Sequence, residues 1–184
     1  MMDDFGEQQA MVMAVLEPQF ATLTDIYKSA VDLYNEGTSP RIRAEHTSRA
    51  ALNSIYSLVW KGYEREFGEM SGFHLLNMRG LNILNIGDQV VVRAKRVDAN
   101  GLHVNNPTQQ QKDFDRQIPL AGLPPEAVRV VIGYELDPAY STVERVIVRH
   151  TMGDWVSQIV TLDDAYLWED ITPARLPLQA GVRA

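Results

Sequence analysis

Apolar residues recur at helical spacing through the first third of the chain and at alternating spacing after it, with the switch near Gly72. Met11, Val12, Val15 and Leu16 lie along a helix-favouring stretch from Glu7 to Leu16, which Pro18 kinks or restarts. Phe20, Leu23, Tyr27, Ala30 and Tyr34 then form an apolar stripe that stops at Asn35-Glu36-Gly37. Ser39 and Pro40 are the residue types of an N-cap and a first helical position. They predict one long helix over 41–67, with Ala51, Leu52, Ile55, Tyr56, Val59, Tyr63 and Phe67 on its core face. Arg41, Arg43, Glu45, His46, Arg49, Lys61 and Glu64 fall off that stripe, as mixed charge on a solvated face does. Two amphipathic helices on so short a link form an antiparallel hairpin.

Beyond Gly72, FHLLNM and LNILNI are short apolar segments separated by Arg79-Gly80, a hairpin pattern in which Asn77, Asn82 and Asn85 suit turns or bulges. Gly87-Asp88 and Asp98-Ala99-Asn100-Gly101 bound a strand over 90–97. Alternation puts Arg93 and Lys95 on one face with Val91 and Val97, and Arg96 on the other with Val90 and Val92. Buried cations need partners, so this strand is either a sheet edge with solvated basic side chains or the floor of an anion or partner site. Asn106-Pro107 starts a short helix over 107–117, and Phe114, its one large apolar residue before Ile118, reads as a lid. A Pro-bounded loop over 119–125 follows. Val130, Ile132, Tyr134 and Leu136 then alternate inward, and 143–150 and 154–162 continue as a meander, with an irregular tail from Ile171.

The pattern predicts an α+β fold: an N-terminal helical hairpin packed on a mainly antiparallel sheet of about five or six strands, with one short inserted helix. It divides into a helical region over 1–70, an α/β core over 71–170 and a tail over 171–184, all within one compact domain. A chain of 184 residues can bury one full-sized core. Its net charge of -7 disfavours broad nucleic-acid binding, which depends on neutralising phosphates. The lack of cysteine excludes disulfides, thiolate nucleophiles and cysteine-ligated zinc, and fits a reducing compartment. MMDDFGEQQ is acidic where a signal peptide would be basic, and no apolar run has membrane-spanning length, so the expectation is a cytoplasmic protein without a membrane partner.

Candidate chemistry is sparse. His46, His74, His103 and His150 are scattered without metal-ligand spacing, no Gly-rich phosphate loop is present, and Ser54, Ser57 and Ser141 lack a nucleophile-elbow context. In element order the chain resembles a degenerate restriction-endonuclease-like core. Asp88 stands for that family's strand-end acid, Arg93-Ala94-Lys95 for its Glu-x-Lys, and Gln110 with Phe114 for its Gln-x-x-x-Tyr helix. Metal-dependent cleavage needs two carboxylates around the cation, and Arg93 stands where the second belongs. What the resemblance implies is therefore nucleic-acid association. An active metal-dependent nuclease would need Glu45 or Glu64 as a substitute ligand.

A longer spaced pattern runs through Gly87, Asp88, Arg93, Lys95, Asp98, Gly101, Asn105, Pro107, Thr108, Gln110, Phe114, Gln117, Leu123, Pro124, Gly133, Tyr134 and Leu136. In it the chain resembles a family of uncharacterised bacterial and phage proteins. The resemblance implies a phage, mobile-element or defence module with a helix-turn-helix regulator as protein partner, and it transfers no activity. Read as one site, Arg93, Lys95, Asn105, Thr108, Gln110 and Gln117 supply cations, amides and a hydroxyl suited to a carboxylate, a phosphate or a backbone. The alternative is that the polar groups cap turns and tie the loop to the sheet. The reading is a non-enzymatic interaction or regulatory protein, with no catalytic residues, metal or cofactor, that binds a protein partner and dimerises through its N-terminal helices.

Overall fold

In the computed structural model, which describes residues 3–78, 80–98 and 109–173, α1 (Asp3–Leu16) is joined to α2 (Phe20–Gly37) by one 3₁₀ turn, Glu17–Gln19, containing Pro18. The single long helix expected over 41–67 is two. α3 (Pro40–Glu45) is capped by the Ser39 hydroxyl, and α4 (Ser48–Phe67) starts afresh because Thr47 is extended (φ -66°, ψ 154°) and its Oγ1 accepts from the Ala50 amide. Residue contacts pair Tyr27 with Tyr63 and Tyr34 with His46, so α2 and α4 run antiparallel, as expected. Gly62 allows the close approach: a Cβ there would lie 2.7 Å from Ile26 Cγ2. Ala51, Ile55, Val59, Tyr63 and Phe67 are buried on α4, while Leu52 and Tyr56 are half-buried.

The strands are β1 (Phe73–Met78), β2 (Leu81–Ile86), β3 (Val90–Arg96), β4 (Val128–Leu136), β5 (Val143–His150), β6 (Val156–Leu162) and β7 (Ala165–Asp170). They form a seven-stranded sheet in sequence order, antiparallel throughout except for the β3–β4 pair. The fold is thus α+β and the sheet mainly antiparallel. The strand beyond the expected five or six is β7, which returns from β6 through Asp163-Asp164, both at positive φ (48° and 63°), as a tight hairpin turn requires. Parallel neighbours need a crossover, and this one carries the short helix α5 (Gln109–Asp115).

That crossover overturns one of the two readings of the basic strand. β3 is interior, hydrogen-bonded to β2 on one side and β4 on the other, so Arg93 and Lys95 do not sit on a solvated edge. The alternation itself is as expected. Val90, Val92, Ala94, Val130, Ile132 and Tyr134 face the helices in the main core, where Tyr134 stacks on Tyr27 at 4.9 Å. Val91 faces the reverse side in a smaller core with Leu81, Ile83, Phe114, Leu123 and Ala127. Among the described residues, no helix is long and apolar enough to cross a membrane.

Replacing Ile55, which is fully buried, by alanine is expected to cost about 2–5 kcal/mol, and Thr47→Ala about 1 kcal/mol through the lost cap. Urea denaturation followed by circular dichroism measures both. An Ile55→Ala midpoint equal to that of the parent would remove α4 from the core.

Candidate anion-binding site

β3 and β4 lie in register with Val91 opposite Arg129, Arg93 opposite Val131 and Lys95 opposite Gly133, which sets Arg93, Lys95 and Arg129 on the reverse face beneath α5. α5 delivers Phe114 onto this face. The Arg93 guanidinium carbon is 5.1 Å from the centroid of the Phe114 ring, and that of Arg129 is 5.5 Å away. Both arginines are almost fully buried, and the electron-rich ring offsets part of the cost of taking them out of water. Arg129 spends its charge structurally. Its Nη1 donates to the Ile118 carbonyl at 2.6 Å and reaches those of Asp113 and Phe114 at 3.4 Å, so it caps the carbonyl end of α5.

Arg93 is less well satisfied. Its Nη1 lies 3.7 Å from Asp115 Oδ1, an ion pair too long for a hydrogen bond, and Asp115 Oδ1 accepts none. Burial holds the Asp115 carboxyl above its ordinary range even though Arg93, Lys95 and Arg149 all pull it down. Lys95 is half-buried. Burial, and secondly repulsion from Arg93, bring its pKa down to about 8 against the opposing attraction of Asp115. No hydrogen bond or ion pair within 4 Å engages its ammonium among the described residues. Arg93 and Lys95 thus share the Asp115 carboxylate, on which Arg149 of β5 also acts.

Gln117 is not at this cluster, contrary to the expectation that it lines the site with Arg93 and Lys95. It sits at positive φ (58°) just after α5. Its Oε1 accepts from the Arg129 amide at 3.3 Å, and its Nε2 donates to Thr151 Oγ1 at 2.6 Å and to the Arg129 carbonyl at 3.0 Å. Gln117 thus ties the crossover to β4 and to the residue after β5, the structural alternative for these polar groups. Asn105 and Thr108 lie outside the described residues. So does the side chain of Gln110, whose backbone is in α5.

The Gln117 Nε2 also meets His150 Nε2 at 3.3 Å, while His150 Nδ1 lies 2.8 Å from Asp154 Oδ2 and the ring stacks on Trp155. Asp154 accepts from Nδ1–H, while the Gln117 amide has already given its two hydrogens to Thr151 and Arg129, so its 3.3 Å approach to Nε2 is a contact and not a full hydrogen bond. Burial keeps the pKa of His150 below its ordinary value, although Asp154 acts to raise it.

Of the nuclease-like positions, Asp88 stands apart from Lys95. Asp88 lies in the Gly87-Asp88 turn, both residues at positive φ, where its carboxylate accepts from Asn85 Nδ2 at 2.6 Å. On the order of 20 Å of strand separates it from Lys95. Among the described residues, no group of three histidine, aspartate or glutamate side chains is placed to hold a metal ion. Arg129 and Asp115 are the members of the site that the sequence reading missed. Alternation around Val130 and Ile132 puts Arg129 on the opposite face, but nothing local in the chain reveals that β4 lies parallel to β3. No family model, curated protein or solved structure matches the chain.

Phe114→Ala is expected to cost about 3–5 kcal/mol, since it empties the small core and strips both guanidinium groups of their ring. A second expectation concerns pH. The folded His150 titrates below the unfolded imidazole, so the unfolded chain takes up the proton first; stability is complete above about pH 6.5 and falls as the pH drops below it. Urea midpoints between about pH 7 and pH 5 should show this slope, and His150→Gln should be less stable at neutral pH but flatter across the window. An unchanged slope in that variant would assign the pH dependence to other groups.

Proposed function

We propose that this chain is a non-enzymatic interaction protein of a regulatory kind, whose Arg93–Lys95 face accepts an anionic group from a protein partner. The observation that carries the reading is the geometry beneath α5, where buried Arg93 approaches the Asp115 carboxylate only to 3.7 Å and half-buried Lys95 shares that same carboxylate. Desolvated cations around a loosely held carboxylate favour an incoming anion, and the arginine fork matches a carboxylate or phosphate. A net charge of -7 favours a protein partner over nucleic acid, whose affinity rests on many phosphate contacts. On the resemblance of the spaced pattern from Gly87 to Leu136, the proposed partner is a helix-turn-helix regulator within a phage, mobile-element or defence module in the cytoplasm. Self-association, if it accompanies partner binding, is best sought on the N-terminal helices, where Leu33 and Ile42 are each 50% exposed.

Arg93 is buried against Phe114, so its removal would confound binding with folding; Lys95→Gln is the cleaner probe. Fluorescence anisotropy with a labelled glutamate-rich peptide should show affinity falling between about pH 7 and pH 9, as Lys95 loses its proton near a pKa of about 8. Lys95→Gln should weaken binding about tenfold at neutral pH, the loss of one charge-assisted hydrogen bond, and flatten the profile. Equal affinity in parent and variant would remove Lys95 from any site. Tighter binding of duplex DNA than of peptide, with a steep salt dependence, would favour the nucleic-acid reading instead.

A further inference from the structure

At the far end of the helical hairpin, away from α5, a cleft of about 400 Å3 opens between α3, the start of α4 and the turn linking β4 to β5. Its walls include Tyr34, Asn35, Arg43, His46, Ser48 and Tyr140, and among the described residues no aspartate or glutamate lines it. The volume is that of a small-molecule site.

Arg43 is half-buried and, among the described residues, its guanidinium makes one hydrogen bond, from Nη1 to Asn35 Oδ1, with no carboxylate in ion-pair range. A guanidinium has five N–H donors, so most of this one is uncommitted. In the same helix Arg41, fully solvated, does find a carboxylate, that of Glu45. His46 is held by Nδ1, 2.8 Å from the Tyr34 hydroxyl, and by stacking on that ring; its Nε2 has no partner among the described residues. Asn35 links the two walls, because its Nδ2 donates to the Tyr140 carbonyl at 3.1 Å while its Oδ1 orients Arg43. Tyr140 is a non-glycine residue at φ 56°, fixed by that bond and by the Arg96 guanidinium 5.7 Å from its ring centroid. The nearest acid of the turn, Asp137, is consumed by the amides of Ala139, Ser141 and Thr142 and the Ser141 hydroxyl. It does not neutralise Arg43.

We infer that this cleft is a second binding site, distinct from the Arg93–Lys95 face, for a small ligand bearing a carboxylate or phosphate that Arg43 and His46 receive together. α3 buries no residue of its own, so its placement rests largely on the contacts of Arg43 and His46, and an anion spanning both fastens it over the cleft. A planar carboxylate or a tetrahedral phosphate suits the arginine fork equally, and the experiment separates them.

The test is a ¹⁵N-edited NMR titration of the full chain with inorganic phosphate and, separately, with acetate. Saturable shifts are expected at the amides of His46, Ser48 and Ser141; saturation by phosphate alone assigns a phosphorylated ligand, by acetate alone a carboxylate, and by both an oxyanion site without preference. Arg43→Gln should weaken binding at least about tenfold, Arg43→Lys should recover part of it, and Arg41→Gln and Lys95→Gln should leave it unchanged. His46→Gln, expected to weaken binding as well, serves if Arg43→Gln lowers the melting temperature. Linear, unsaturated shifts, or equal weakening in Arg41→Gln and Arg43→Gln, would overturn the proposal as general charge screening.

Discussion

One aromatic ring closes the reverse face of the sheet. A helix as short as α5 has no stability of its own, and among its described side chains the buried one is Phe114. That ring completes a small core with Leu81, Ile83 and Val91 and gives two buried guanidinium groups a surface to rest on. Arg129 answers by capping the helix that carries the ring. Helix and arginine thus hold each other in place, and Arg93 is carried along with an ion pair that is present but loose. The positive character at Lys95 follows from this geometry. Phe114 and Arg129 pack this part of the face, and Arg93 beside them is left with one long ion pair.

How much of this the sequence discloses depends on how far apart the interacting residues lie. Periodicity located α2, the buried stripe of α4, the β1–β2 hairpin and the inward alternation of β4, because each is written within a few consecutive residues. It also sorted Arg93 and Lys95 onto one face correctly. It joined α3 to α4 because one threonine hydroxyl ends a helical pattern that composition alone would continue. It missed β7, a strand on the sheet's outer edge whose core-facing Tyr166 and Trp168 alternate with an outward apolar residue, Leu167, so that AYLW reads as an unpatterned run. The interior position of β3 was beyond reach, since it depends on a partner strand more than thirty positions away.

The same limit explains the site residues. Gln117 has the right chemistry for a ligand, yet its left-handed backbone turns the amide toward Arg129, Thr151 and His150. Arg43 and His46 were read as solvated charges, which the helical wheel supports. Only the fold back of the β4–β5 turn toward α3 makes a cleft of them. In each case residue type suggested a capability and tertiary placement decided its use.

The parallel β3–β4 pair has a consequence for how the molecule comes together. β1 to β3 form one meander and β4 to β7 another, each built from hairpins between sequence neighbours. The β3–β4 ladder is the seam between them, and closing it requires a long excursion of chain. On the helical face α4 rests on β1 and β3 while α2 rests on β5 and β7, so the hairpin of helices straddles the seam; on the reverse face the α5 crossover does the same. Each half-sheet can therefore be built from local contacts, whereas their union is a single non-local event, the kind that sets the folding rate. The seam is therefore the one step of sheet assembly that contacts between sequence neighbours do not supply.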